Sequence, residues 1–540
     1  MITLKKIFIT LKKISNLRKK RYQKLFYYKE EFKNKIKLNN KLIYSFNNYF
    51  IRAENEIKNN FFTKSVNDKK KVIIRIVSKT KKYFNYFIDG KKYIKSIVPN
   101  NLNFVKIDIN KAKKIKFLKD KDYTIFKPIF FKKKEKRKLV LLLLVDGLGQ
   151  DLIQYSPNSK NFFGEKNIFK NVWSNSNWTL PVFGNLITGK YALNHKCYQP
   201  ETIYNNSSEI RYQCESNLFE SFSKLNFVTG CYSPYVRINP TYGSDKGVDI
   251  FKYCPNASAD ELVENIISQL TLFKETSNFI VAHFLDGHGL QKKFARMSES
   301  AFFSDKNFAI DENNINKTKD MPIDITHDYI HNKTFKRAIK VESGFDEKEK
   351  ISLFKFVDAK LQILYSFLNS QNYDDYTILM FGDHGTRLAS NIKNKILLAN
   401  NMANVGFFVK DKKNKFSSMK RNKIIQTVDI FPSLLSRYSG SSSVKKIKDF
   451  DGKNTLFSNT KRNFNITEAP YNNTYDIHIR NKNAQLSSKF ELKEHRLKKL
   501  IFKNYLDTNE KVIKRNNKNK ADIVNLDKIL NNHIKKFRYF

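Results

Sequence analysis

"LVLLLLVDGLG", residues 139 to 149, runs through seven apolar side chains and stops on Asp146 and Gly147. The run is far short of the roughly 20 residues that span a bilayer, and it lacks the alternation of a half-exposed strand. It reads as a strand buried on both faces, the kind that parallel sheets use. Two later stretches repeat the pattern: "NFIVAHFLDGHG" (278–289) reaches Asp286 and His288, and "YTILMFGDHG" (376–385) reaches Asp383 and His384. Any one of these ends, taken alone, is an ordinary turn or helix cap. Three of them deliver carboxylates and imidazoles to the ends of buried strands, a mixed O/N donor set that suits a divalent cation such as Zn, Mn or Mg.

Helical patterns separate the strands. "ADELVENIISQL" (259–270) and "KISLFKFVDAKLQILYSFL" (350–368) carry helical apolar spacing, and another helix is expected after Leu180-Pro181. The alternation specifies an α/β fold with a mostly parallel central sheet flanked by helices, and it puts ligands at the carboxyl ends of the strands. Gly382 and Gly385 are read here as residues that let the backbone turn tightly around an ion.

Ahead of this region the style changes. Residues 1–68 read as basic helical or irregular material. Residues 69–131 form a small β-rich, sandwich-like module built from "KKVIIRIV", "KYFNYFIDGKKYI" and "NFVKIDI", with a turn at Asp89-Gly90. "FKKKEKRK" (131–138) is a charged linker into the α/β domain, assigned to 138–480, and 481–540 is a basic C-terminal extension.

With 540 residues and 41% hydrophobic content the chain can bury a large core. Lys+Arg 100 against Asp+Glu 51 gives +49, a charge that attracts anionic partners. The joint enrichment of Lys, Asn, Ile, Phe and Tyr is also what AT-rich coding produces. No nucleic-acid reading motif accompanies the charge, so specific nucleic-acid binding ranks last. Cys197, Cys214, Cys231 and Cys254 show no CxxC pair, which argues against a zinc knuckle and leaves both bridged and reduced states open. The N-terminus has no signal-type apolar core and no run is long enough to cross a membrane, so a cytoplasmic or membrane-peripheral location is expected.

"SNSNWTLPVFGNLITGKYALNH" (174–195) sets Thr179 at the start of a short helix ending at Gly189. A hydroxyl there is usually an N-cap. The same place favours an incoming anion, because free N–H groups and the helix dipole point at it, and a metal-bound hydroxyl becomes a nucleophile.

In order along the chain, "VDGLG", "WTLPVFGNLITG", "YGSDKGVDIF", "HFLDGHG", "FVDAKLQILYSFL", "MFGDHG" and "TVDIFPSLLSRYSG" resemble the motif series of the sulfatase-like branch of the alkaline phosphatase superfamily. The resemblance covers about residues 139 to 480. It implies Asp146, Thr179, Asp383 and His384 as ligands of one divalent ion (Mn, Zn, Mg or Ca), with a second ion left open. Thr179 becomes the nucleophile and His288 the group that protonates the leaving oxygen. Lys190 and His195 sit where the family often places anion-binding residues; Asp286 and, as an anion contact, Arg387 are further substrate-binding candidates. His283 is read as a strand residue facing the core or the site margin, with the structural role preferred; His327 and His331, four apart, have the spacing of metal ligands on a helix, and a solvated role is preferred.

Sulfatases of the family carry Cys or Ser at the nucleophile, followed by x-Pro-x-Arg, for oxidation to formylglycine. Here the residue is Thr179, and Val182 and Phe183 stand where the arginine belongs. Threonine cannot yield that aldehyde. The expected activity is therefore hydrolysis or transfer of a phosphate ester, less readily a sulfate ester, on an anionic substrate such as a glycan or a lipid headgroup, without a transmembrane segment. The alternative is an inactive sulfatase fold that binds acidic glycans.

Overall fold

Leu139 to Val145 are all essentially inaccessible, and so are the flanking strands, as a run apolar on both faces requires. The computed structural model describes residues 35–38, 41–46, 49–52, 56–57, 61–65, 70–108, 114–118, 121–132, 134, 136–198, 212–235, 237–253, 257–287, 347–385, 398–414, 416–440, 450–471, 473–517 and 519–537.

The strands, in chain order, fall into three groups. The first is β1 (Lys35–Leu38), β2 (Lys41–Phe46), β3 (Tyr49–Arg52), β4 (Phe61–Ser65), β5 (Lys70–Ser78), β6 (Tyr83–Ile88), β7 (Lys91–Ser96), β8 (Asn103–Asp108), β9 (Lys114–Leu118) and β10 (Tyr123–Lys132). The second is β11 (Lys138–Val145), β12 (Val172–Trp173), β13 (Val228–Ser233), β14 (Ile250–Tyr253), β15 (Asn278–Phe284), β16 (Asp375–Gly382), β17 (Phe407–Asp411) and β18 (Ile425–Gln426). The last is β19 (Asn465–Tyr471), β20 (Thr474–Arg480), β21 (Gln485–Lys493) and β22 (Arg496–Leu506).

The central sheet runs β1-β2-β3-β14-β13-β15-β11-β16-β17. Its middle, β14 through β16, is parallel, and β3 and β17 join antiparallel at either side. Along β11 the side chains alternate between two cores. Leu139, Leu141, Leu143 and Val145 face helices Ala259–Leu272 and Glu347–Asn369, whereas Val140, Leu142 and Leu144 face helices Thr179–Thr188, Leu218–Lys224 and Ile430–Ser439. This is the expected α/β arrangement, with helices on both faces.

The β-rich module also forms, as two antiparallel sheets, β10-β5-β8 and β4-β9-β6-β7, around one apolar core. β5 is buried on both sides. Val72, Ile74 and Ile76 fill the module's core, while Ile73 joins the core of the α/β domain. Arg75 crosses the same seam, donating to Asp249 O at 2.9 Å.

Two expectations need correction. The helical or irregular reading of residues 1–68 fails wherever that region is described, because β1 to β3 extend the central sheet and β4 pairs with β9. "KIKL" and "YFIR" are only four residues each, too short for a period of two to stand out among the surrounding Lys and Asn. A boundary after residue 480 also fails, since β20 and β21 pair across it (Arg480↔Gln485) within one four-stranded sheet. Helix Lys520–Ile534 seals that sheet with Leu526, Leu530 and Ile534. The polar, Lys- and Asn-rich segment from about 459 to 540 reads in the sequence as edge strands mixed with a solvated tail; strands do form there, and the helix stands in place of the tail.

One ion cluster ties the layers together. Arg437, on helix Ile430–Ser439, meets Asp375 at the start of β16 (2.7 Å) and Asp411 at the end of β17 (3.1 Å). Arg437→Ala would leave two poorly hydrated carboxylates facing each other, and about 3–5 kcal/mol of stability should be lost. A lower urea midpoint followed by tryptophan fluorescence is the expected result; an unchanged midpoint would show that the cluster is not holding the helix.

Candidate active site

Register brings the strand ends together. Val145 pairs with Phe284 on one side and with Gly382 on the other, so Asp146 and Asp383 leave the sheet at the same level. The turn after Asp146 is made by Gly147, whose φ of +70° is open to glycine and costly for other residues. Its N–H donates to Asp383 Oδ1 at 2.9 Å, and the His384 N–H donates to the same oxygen at 2.8 Å. That leaves Asp383 Oδ2 facing the cluster. Gly382 and Gly385 do not make the turn, contrary to the sequence reading. A Cβ on Gly382 would lie 2.1 Å from Leu148 O, and one on Gly385 would lie 1.8 Å from Asn401 O, so these glycines permit close backbone approach.

Thr179 opens helix Thr179–Thr188, every residue of which is buried, and no side chain caps its N-terminus. Thr179 Oγ1 donates to Asp383 Oδ2 at 2.8 Å and lies 3.2 Å from Asp146 Oδ2. The preceding loop is anchored by Asn175, which accepts from Val428 N (2.8 Å) and donates to Ile466 O (2.9 Å). The hydroxyl is thus fixed from both sides.

The donor set has the chemistry of a cation site. One ligand atom each from Asp146, Asp383 and His384 lies within 4.8 Å of the others. Burial, and then the Asp146 charge, pushes the Asp383 carboxyl upward. Three oxygens, from Thr179, Asp146 and Asp383, converge around a single hydroxyl proton, an arrangement that a positive charge would stabilise. His384 Nδ1 bonds Gly385 O at 2.7 Å, which assigns the proton to Nδ1 and turns the lone pair of Nε2 toward the carboxylates, 3.4 Å from Asp383 Oδ2. Asp146, Thr179, Asp383 and His384 can therefore hold a divalent ion.

Other expected residues have different surroundings. Asp286 Oδ1 accepts from Ala259 N at 3.1 Å, at the start of helix Ala259–Leu272, and burial pushes its carboxyl up to about 7. It anchors that helix. Lys190 Nζ donates to Gln213 O at 3.2 Å. His195 Nδ1 accepts from Cys197 N (3.1 Å) while Nε2 donates to Pro181 O (3.2 Å), and burial drives its pKa down to about 3. It is a neutral brace on the first turn of the Thr179 helix, so the anion contact expected of it gives way to a structural role. His288, Arg387, His327, His331 and Cys254 lie outside the described residues; Cys197 and Cys231 are buried.

Two further residues are not assigned to the site from the sequence, one of them, His283, being placed there at the core or the site margin. His283 is 1% exposed, with Nε2 3.6 Å from Asp146 Oδ2 and Nδ1 3.3 Å from Ser233 Oγ. Its signal was an imidazole in an otherwise apolar strand, which read as structural. Arg237 is 5% exposed; its guanidinium lies 5.7 Å from the Trp178 ring centre, and Nη1 donates to Tyr235 OH at 3.2 Å. Among 100 Lys and Arg residues nothing local distinguished it.

Among solved structures, the chain is similar to a 2-O GAG sulfatase (13% identity, TM-score 0.50, covering 74% of this chain and 92% of that one). A phosphonate monoester hydrolase from Silicibacter pomeroyi gives 12% identity and a TM-score of 0.49, over 74% of this chain and 96% of its own. The C-terminal periplasmic domain of a phosphoethanolamine transferase from Campylobacter jejuni gives 14% and 0.38, over 56% and 90%. At 13% identity the likeness to the GAG sulfatase speaks to fold alone. No curated protein matches the chain by sequence. The sulfatase family pattern matches residues 138–440, more than half of the chain, and spans every strand end described above. The chain belongs to the sulfatase family, within the alkaline phosphatase superfamily.

Proposed function

We propose that this sulfatase-family protein is a metal-dependent hydrolase or transferase of phosphate esters, with Thr179 as nucleophile. The observation that carries the reading is the Thr179 hydroxyl, 2.8 Å from Asp383 Oδ2 and 3.2 Å from Asp146 Oδ2 at the N-terminus of a buried helix. Formylglycine chemistry starts from Cys or Ser; a threonine in that place keeps its hydroxyl and attacks phosphorus directly.

Asp146, Thr179, Asp383 and His384 would hold one divalent ion, Mn, Zn, Mg or Ca. When bound, such an ion lowers the pKa of the hydroxyl and neutralises charge on the ester oxygens. The chain's own groups supply the rest. Asp383 Oδ2 is in hydrogen-bond reach of the Thr179 proton and can accept it. Free N–H groups at the helix start and the helix dipole favour the incoming anion. Oγ1 then forms a bond to phosphorus as the bond to the alcohol oxygen breaks, and His288 protonates that oxygen. Water or an acceptor hydroxyl releases the phosphoryl group from threonine, giving hydrolysis or transfer. The substrate is an anionic ester, glycan- or lipid-linked.

Thr179→Ala should lower turnover of aryl phosphate mono- and diesters by at least about 1,000-fold, the scale seen when a nucleophile is removed, while the fold is kept. Undiminished turnover in that variant would end the nucleophile assignment, and binding of acidic glycans with no turnover in the unmodified protein would favour the inactive fold instead. Asp383→Asn should weaken Mn binding, read by calorimetry, by about tenfold or more. Chelation should abolish activity, and restoring Mn, Zn, Mg and Ca one at a time should identify the ion; full activity after chelation would refute metal dependence.

A further inference from the structure

We propose that the edge strand β22, through Leu500, Ile501 and Phe502 and the basic residues around them, docks the protein on an anionic lipid surface. The proposal goes beyond the ester reading and does not depend on it.

Exposure is the first argument. Leu500, Ile501 and Phe502 are 45%, 53% and 37% exposed, three large apolar residues in succession. A single exposed apolar side chain is ordinary; an unbroken run of three marks a contact surface. The strand register shows how they are held out. Leu500 is level with Phe490 and Phe502 with Lys489, so Ile501 is an extra residue in β22, and a second shift follows between Phe490 and Leu492. Bulges of this kind bend a strand and re-aim its side chains. Phe490 belongs to the core that helix Lys520–Ile534 covers, so its partner Leu500 leaves on the helix side of the sheet and Phe502 on the opposite side. The apolar groups therefore project from both faces of the edge, as a rim.

Charge decides what covers that rim. The hairpin of residues 485–506 carries Lys489, Lys493, Arg496, Lys498, Lys499 and Lys503 against Glu491 and Glu494. Lys489 and Lys503 meet Asp476 and Asp527, while Lys493, Arg496, Lys498 and Lys499 are exposed. Lysines and bulges guard a sheet edge against pairing with another strand, which argues against an added strand as the occupant. A protein packed on one face of the sheet would leave the side chains of the other face in water. A lipid interface takes both faces at once. Its acyl boundary receives the apolar rim and its anionic headgroups meet the surrounding basic residues, the two terms that set the strength of peripheral membrane binding.

The test is co-sedimentation of the full chain with vesicles, made of phosphatidylcholine alone or of phosphatidylcholine and phosphatidylglycerol in equal parts. The unmodified chain should bind the mixed vesicles, and the neutral ones at least about tenfold more weakly. Leu500→Ser/Ile501→Ser/Phe502→Ser, with an unchanged circular dichroism spectrum, should bind the mixed vesicles at least about tenfold more weakly, and Lys498→Gln/Lys499→Gln about tenfold more weakly. Lys91→Gln/Lys95→Gln removes the same charge from the exposed strand β7 and should change binding by less than about twofold. An equal loss in the β7 variant, or binding by the folded triple-serine protein within about twofold of the unmodified value, would overturn the proposal. A further measurement needs no loss of binding: in Phe502→Trp the added emission should move to shorter wavelength on the mixed vesicles, and no shift overturns the proposal. A mass that is dimeric for the unmodified chain and monomeric for the triple-serine chain would assign the rim to a second copy and overturn it too. Turnover of aryl phosphates, which tests the ester reading, is a separate readout.

Discussion

The pairing of Val145 with Gly382 is the constraint from which the rest of the site follows. It sends Asp146 and Asp383 out of the sheet side by side, both essentially inaccessible to water. Two buried carboxylates repel, and the fold meets that cost with fixed donors: Gly147 N and His384 N on one oxygen of Asp383, and Thr179 Oγ1 on the other. A slip of one residue between β11 and β16 would turn an acid into the core and separate the pair. The alternation of β11 between two apolar cores makes such a slip expensive, so the sheet's hydrophobic pattern is what fixes the geometry of the candidate site.

The acids of the other family motifs do different work. Asp358, in "FVDAK", accepts from the N–H groups of Asn158 and Ser159 at 2.8 Å each, at the start of helix Pro157–Phe163. Asp429, in "TVDIF", is gripped by Arg462 Nε at 2.7 Å and accepts from Lys453 N at 2.8 Å. Asp249, in "GVDIF", accepts from Thr229 N at 2.9 Å, while its carbonyl receives Arg75 from the β module. Three motif acids thus tie loops and helices to the sheet, and the strand-end acids Asp146 and Asp383 converge on the candidate site. This division explains how a motif series can mark a fold firmly while saying little about the ester.

The sheet and the Asp146, Thr179, Asp383 and His384 cluster were legible because strand runs and their terminal acids are local patterns. What was hidden depended on distant partners. His195 resembles an anion contact until Cys197 N and Pro181 O are seen to occupy both its nitrogens. His283 resembles a core residue until β11 sets Asp146 against it. Arg237 is one basic residue in a basic chain until Trp178 and Tyr235 are found on either side. The same holds for β1 to β3 and the C-terminal sheet, whose short mixed runs of polar and apolar residues acquire meaning only through the strands they pair with.

The net charge of +49 takes on a sharper meaning against this internal use of acids. Asp146, Asp358, Asp375, Asp383, Asp429 and Glu468 are all buried, committed to the site, to helix starts or to buried arginine and histidine partners. Among the described residues, buried bases (Arg75, Lys190, Arg237, Lys350, Arg462 and Arg480) nearly balance these acids, so the excess positive charge lies on the surface. A field of that sign draws anionic esters toward the molecule whether the lysines arose by selection or by coding bias, because attraction depends on charge and distance and not on origin. Its range in physiological salt is only about 8 Å, so it speeds encounter without choosing among anions. Choice has to come from fixed, desolvated donors at the end of the approach, where screening is weak.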